Sequence, residues 1–261
     1  MSYETLKFEV ADGVARITFN RPRVLNAFNM TMSNELTELA HRLRSDESVR
    51  VVVLRGEGGN FMAGADISML QEWSKLTADE LMRTLKAGFT PTYLEMLPQP
   101  VIAAVDGFAL GMGCEVAIAC DLRIATNRAE FGLPEITLGL IPGAGGSQRL
   151  PRLIGPTKTA ELVMTGRRLK ADAALQLGLV NAVVAPEELD AAVDNMVEAL
   201  LSKSPLALRR AKEALIASRD KTLYDGIQVE LANFVACVGT EDAREGTAAF
   251  LEKRKPTFRG R

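Results

Sequence analysis

Hydrophobic positions along the chain repeat with two different periods. Val14-Ala-Arg-Ile-Thr-Phe19 alternates with period two and stops at Asn20-Arg-Pro22, which predicts a strand running into a turn. Leu36, Leu39, Ala40 and Leu43 recur at i, i+3, i+4 and i+7, which predicts a helix over 31–45. Residues 51–54 and 101–105 are unbroken apolar runs, as expected of strands covered on both faces. Further strands are predicted over 122–125 and 180–184. Thr77-Ala-Asp-Glu80 reads as a capping box opening a helix. A short helix over 171–177 should end at Gly178 in a left-handed conformation. From Glu187 onward the pattern is almost all helical: 187–202, a helix with Ser204 as N-cap and Pro205 at its first position, and a last helix over 241–253. The change near residue 190 predicts a mixed α/β region over 1–190 that carries the active site, and a helical region over 191–261.

Composition narrows the options. Apolar residues make 47% of the 261, which excludes intrinsic disorder. The 31 basic and 33 acidic residues nearly cancel, so no basic face is expected for nucleic acid. Three cysteines and one histidine cannot build a disulfide scaffold or a Cys/His zinc site, and no metal is expected. His41 lies in an amphipathic stretch and reads as a surface residue rather than a catalytic one. The start, MSYETLKFEV, lacks the basic and apolar regions of an export signal. The apolar stretch 101–120 is interrupted by Asp106 and Glu115, so it reads as buried core rather than a membrane span. The expectation is a cytoplasmic protein with no membrane partner. The basic ending KRKPTFRGR reads as a solvated terminus, with an anionic ligand as the sharper alternative.

Three segments are rich in glycine: 56–66, 106–115 and 139–149. Gly111-Met-Gly113 lacks the third glycine of a dinucleotide fingerprint, because position 116 is Val. No GxxxxGK[ST] occurs, and Gly145-Gly-Ser-Gln-Arg149 misses the nucleophile elbow at its fifth residue. The second segment instead joins a buried strand to an apolar helix. Such a turn leaves N–H groups unpaired, able to bind an anion or a developing oxyanion. Glu115 falls in the first turn of that helix, where alone it would read as a complement to the helix dipole. Glu135, in Phe131-Gly-Leu-Pro-Glu-Ile136, is a second acid in apolar company. Two desolvated carboxyls can divide the roles of acid and base in proton transfer at carbon.

These residues resemble the crotonase superfamily, most closely the enoyl-CoA hydratases. The resemblance is carried by Asn20-Arg-Pro22 with Leu25-Asn-Ala27, by Ala63-Gly-Ala-Asp-Ile67 and by Gly107-Phe-Ala-Leu-Gly-Met-Gly-Cys-Glu115. It continues through Phe131–Ile136, residues 139–146 and Glu252-Lys-Arg-Lys255, in order along essentially the whole chain. It implies an α/β spiral of repeated β-β-α units with a C-terminal helical trimerisation region. A homotrimer or dimer of trimers acting on CoA thioesters is implied as well. By motif position, the backbone N–H groups of Ala65 and Met112 form an oxyanion hole. The backbone at Ala63, Asp66, Ile67 and Ser68 is implied to help hold the CoA moiety, and that of Gly143 to help place water or substrate. Coenzyme A then belongs to the substrate, and no separate cofactor is implied.

Two departures stand out. Met112 occupies a position that is often Gly, tolerable if its φ is negative, with a side chain expected to narrow the pocket. Ser68 stands where many hydratases carry Lys. Retention of both acids points to a hydratase that adds water to a 2-trans-enoyl-CoA, giving the (3S)-3-hydroxyacyl-CoA in acyl-CoA degradation. Glu115 is expected to activate water and Glu135 to protonate C2. The alternatives are a hydratase for branched or cyclic substrates, an isomerase, which typically keeps only the later acid, or a non-catalytic RNA-binding or interaction protein. Met69, Leu70, Trp73 and residues 84–97 are candidates to shape the acyl pocket.

Overall fold

The structure, a computed structural model, describes residues 3–89 and 91–261. It opens with a hairpin of β1 (Leu6–Ala11) and β2 (Val14–Phe19). Asp12 and Gly13 both take positive φ, the mirror-image turn whose twist suits two antiparallel strands. Asn29 then caps α1 (Met30–Ser45) by accepting the Met32 N–H, and the helix buries Leu36, Leu39 and Leu43. Next come β3 (Val51–Gly56), α2 (Ile67–Trp73), α3 (Ala78–Ala87) and α4 (Thr92–Glu95). The capping box at Thr77 and Glu80 is present at the start of α3.

The centre of the chain is β4 (Val101–Val105), β5 (Phe108–Leu110), α5 (Met112–Ala119), β6 (Leu122–Thr126) and β7 (Glu130–Gly132). A 3-10 turn, Pro134–Leu138, leads to α6 (Gly146–Ile154) and α7 (Pro156–Thr165). They are followed by β8 (Arg168–Lys170), α8 (Ala171–Gln176) and β9 (Ala182–Val184). Gly178 ends the α8 region with φ 74°. The helices α9 (Leu189–Leu201), α10 (Pro205–Asp220), α11 (Leu223–Val238) and α12 (Glu241–Leu251) complete the fold. Ser204 caps α10 and Pro205 is its first residue, as the sequence predicts.

One sheet runs β1-β2-β3-β4-β6-β9 and is parallel from β2 onward. A second sheet runs β5-β7-β8, and Met62 joins it through a bridge to Ala109. Each turn of the chain therefore lays a strand in the large sheet, steps to the small one and returns through helix. β3–Met62–α2, β4–β5–α5 and β6–β7–α6 are successive turns of this spiral. The unbroken apolar runs follow from it. Val52, Leu54, Ala103 and Val105 face the main core, while Val51, Val53, Ile102 and Ala104 pack under Leu189, Val193 and Val197 of α9.

Helix α5 lies inside the spiral with all eight residues buried. The buried Arg123 guanidinium donates to the carbonyls of Ala117, Cys120 and Leu179, closing the C-terminal end of α5. Its N-terminal end stays open. Helix α10 is anchored to the body by buried Lys212, which pairs with Asp121 and donates to the Gln99 carbonyl. The basic ending is held by the protein's own acids: Arg254 pairs with Glu245 and Glu252, and Arg261 with Glu241. None of the described helices is long and apolar enough to cross a membrane.

Candidate active site

Two backbone segments meet at the open end of α5. In the first, Asn26 is fully buried in a left-handed conformation, and its side chain binds the carbonyls of Glu57 and Asn60. This ties the Asn20-Arg-Pro22 turn to the loop that leads into residues 63–66. Ala63 N–H donates to Leu25, Phe28 N–H to Gly64, and Asp66 N–H to Phe28. Because neighbouring N–H groups of an extended strand point to opposite sides, the Ala65 N–H faces away from Phe28. Among the described residues it has no hydrogen-bond partner.

The second segment supplies Met112. Gly111 carries the strained conformation, φ 51° and ψ −123°, a region open almost only to glycine. Met112 is thereby left at the first helical position with negative φ, so the departure from glycine there costs no backbone strain. Its N–H is one of the donors a helix start leaves unpaired. Its side chain is buried with the main core. Met62 locks the two segments together: its N–H donates to Phe108 and its carbonyl accepts from Leu110. A Cβ on Gly111 would lie 3.5 Å from Gly64 Cα, so the residues preceding the two free amides abut.

Both glutamates reach this junction. Glu115 is 3% exposed, one turn into α5. Its Oε1 accepts the N–H groups of Ala144 (2.8 Å) and Gly146 (2.9 Å), where the third glycine segment enters α6. Burial raises the Glu115 carboxyl above its ordinary range, opposed by these two N–H groups and by Arg149. Glu135 stands on the 3-10 turn, with Oε1 3.3 Å from where a Gly111 Cβ would be. Its Oε2 is buried with no hydrogen-bond partner among the described residues. Burial, reinforced by the negative charge of Glu115, pushes Glu135 up to about 7.

The remaining expected site residues surround this centre differently. Asp66 caps α2: its Oδ1 accepts the Ser68 hydroxyl (2.7 Å) and N–H (3.1 Å), and its Oδ2 pairs with Arg21 at 3.0 Å. The Ser68 hydroxyl first, and then Arg21, hold the Asp66 carboxyl below its usual range. Ser68 is thus engaged within the loop, while Ile67 is 55% exposed beside it. Ala63 is fixed by its bond to Leu25, and Gly143 is exposed immediately before the Ala144 donor. Met69 is buried and Trp73 packs on the core; of 84–97, Thr90 lies outside the described residues. His41 is exposed and sits edge-on to Tyr93. The Ala144 and Gly146 donors escape sequence reasoning, since a backbone N–H carries no residue identity. The only hint is the glycine-rich helix entry itself. Among the described residues no group of three or more His, Cys, Asp or Glu is placed to hold a metal ion.

Comparison with known proteins gives consistent matches. The sequence profile for enoyl-CoA hydratase/isomerase matches residues 9–261. The chain is 41% identical to the crotonyl-CoA hydratase of Syntrophomonas wolfei over 259 residues, covering 99% of each. It is 40% identical to the short-chain-enoyl-CoA hydratase of Clostridium acetobutylicum, covering 98% of this chain and 97% of that one. A crystal structure described as enoyl-CoA hydratase subunit I from Geobacillus kaustophilus superposes with a TM-score of 0.93, at 43% identity and 99% coverage of both chains.

Proposed function

Because the chain belongs to the enoyl-CoA hydratase/isomerase family, we propose that it hydrates 2-trans-enoyl-CoA thioesters to (3S)-3-hydroxyacyl-CoA. The observation that carries this reading is the contrast between two carboxyls at one junction. Glu115 is bound by two N–H donors that favour its ionised form, while the buried Glu135 Oε2 has no partner among the described residues. The first suits a base and the second an acid.

In the proposed reaction the thioester oxygen binds the N–H groups of Ala65 and Met112. Glu115 takes a proton from water as the water oxygen bonds to C3. The C2–C3 π electrons move toward the thioester, leaving an enolate on the two amides. Glu135 then protonates C2, and the carbonyl re-forms. The proton gained by Glu115 returns to Glu135 before the next cycle, so one water is consumed and the enzyme is unchanged. Negative charge grows on the thioester oxygen during attack, so the amides favour the transition state over the substrate. One such donor contributes about 2.7–4 kcal/mol in comparable sites. Ala63, Asp66, Ile67 and Ser68 form the loop beside the Ala65 amide and are assigned to the CoA moiety, and Gly143 to placing water or the acyl group.

Short unbranched substrates are the first choice, since the named relatives are crotonyl-CoA and short-chain-enoyl-CoA hydratases. We assign the protein to cytoplasmic acyl-CoA degradation and to a homotrimer or dimer of trimers, the latter supported by the exposed apolar face of α11. Glu115→Gln and Glu135→Gln should each lower kcat on crotonyl-CoA by about 100-fold or more, the scale of general acid–base catalysis. Calorimetry should show CoA-ester binding retained. Near-normal turnover in either variant would remove that residue from the mechanism.

A further inference from the structure

The turn that holds Glu115 is itself held from outside. Arg149 lies in α6, within one turn of the Ala144 and Gly146 amides that bind Glu115 Oε1. Its Nη1 donates to the Ala144 carbonyl at 3.1 Å, so the same residue that offers its N–H to Glu115 offers its C=O to Arg149. The other arm of the guanidinium is anchored on α4. Nη2 donates to Thr92 Oγ1 (2.7 Å) and Glu95 Oε2 (2.8 Å), and Nε donates to the same Glu95 oxygen at 3.2 Å. Arg149 and Glu95 side chains are only 14% and 13% exposed, so this pair is shielded from the solvent screening that weakens surface ion pairs. Glu95 is shared with Arg219 of α10 through its other oxygen, but Arg219 donates nothing to the 144–146 turn.

A carboxylate serves as base only if its free oxygen is aimed. With Oε1 fixed by two amides, the direction of Oε2 depends on where the turn sits. That turn contains Gly145 at φ 105° followed by Gly146, a flexible pair with no side chain of its own to pin it. The Gly145 backbone leaves room for the guanidinium: a Cβ there would lie 2.0 Å from Arg149 Nη1.

We propose that Arg149, clamped by Glu95 and Thr92, is the positioning residue that fixes the 144–146 turn and so aims Glu115 at the attacking water. This rests on the hydratase reading above. Arg149 touches neither Ala65, Met112 nor the 63–68 loop through any of its hydrogen bonds, so its loss should act on turnover rather than on CoA-ester binding.

The test is steady-state kinetics on crotonyl-CoA for Arg149→Met, Arg149→Lys and Arg219→Met, with thermal unfolding of each. Arg149→Met should lose about 100-fold in kcat, the scale of a misplaced catalytic group, with KM within about two-fold of the parent. Arg149→Lys keeps the charge but cannot reach Ala144, Thr92 and Glu95 together. It should fold and still lose at least about ten-fold in kcat, so it decides the matter if the Met variant does not fold. Arg219→Met breaks the other half of the Glu95 network and should leave kcat near that of the parent. A normal kcat in the Arg149 variants, or an equal loss in Arg219→Met, would overturn the positioning role. The parent and Glu115→Gln are assayed alongside. No hydration by the parent would sink the hydratase reading itself, whereas failure in the Arg149 series alone would sink only the clamp.

Discussion

Glu115 and Glu135 are both withdrawn from water, yet they differ in what surrounds their oxygens. That difference has a thermodynamic consequence at Glu135. Its carboxyl, ordinarily at 4.5, is pushed up to about 7 in the folded chain, with burial the main cause. Between those values the native state keeps a proton the unfolded state has released. Stability must therefore fall as pH rises through this window, and the cost is complete above about 7. Glu135→Gln removes it. The melting temperature of the variant minus that of the parent should grow from pH 4.5 to about 7 and then level off; a constant difference would show that the carboxyl is not perturbed. In the free enzyme the same proton should give kcat/KM a falling basic limb near pH 7. The two acids were legible in the sequence as a pair, each in apolar company: Glu115 among Gly, Met, Cys, Val and Ala, and Glu135 among Phe, Gly, Leu, Pro and Ile. What holds Glu115 was not, because two of its three stabilisers are bare amides and the third, Arg149, looks like any surface-facing arginine of an amphipathic helix. At Ser68, where the motif assigns the backbone to CoA, the hydroxyl is taken up within the loop by Asp66.

At the scale of elements, the site depends on α5 lying directly on the step at Met62. Gly113 makes that possible, since a Cβ there would be 2.0 Å from the Met62 carbonyl oxygen. Gly113→Ala should force the two segments apart and cost about 1–3 kcal/mol, read from the urea midpoint. Because Met62 joins the Ala65 and Met112 segments, kcat should drop as well. Unchanged stability and turnover would mean that the helix can shift without disturbing the amides. The long strands and helices were legible because burial on both faces of the large sheet, or on one face of a helix, imposes a pattern several residues long. β5, β7 and β8 have three residues each, too few to show a period, and they exist through pairing with distant segments. Leu6–Ala11 is not among the predicted strands, although Leu6, Phe8 and Val10 alternate with Lys7 and Glu9 in period two; as a sheet edge it fully buries only Leu6. In the structure Asp12-Gly13 supplies the hairpin turn between it and β2.

At the scale of the whole molecule, α11 is the feature a single chain does not explain. Tyr224, Phe234 and Val235 are 72%, 64% and 69% exposed, and Ile227, Leu231 and Val238 lie on the same helix, also exposed. A contiguous apolar surface of this kind marks an association site, and it is the ground for the proposed trimer. Sedimentation should give a species of three or six chains for the parent. Phe234→Glu, which places a charge on that face, should shift it toward smaller species; a parent that sediments as a monomer would refute the assembly. Helical content after residue 190 was legible, but another copy as the partner of its apolar face came only from the family resemblance, because amphipathic spacing looks the same whether a helix buries against its own chain or another copy.

The central claim is that two carboxyls and two amides add water across an enoyl thioester. Its most direct test is to incubate the protein with crotonyl-CoA in isotopically labelled water, following enoyl absorbance and product mass together. The expected result is loss of the absorbance and one labelled hydroxyl at C3, both abolished in Glu115→Gln. Absorbance that persists with the parent protein, or hydration that survives in Glu115→Gln, would contradict it.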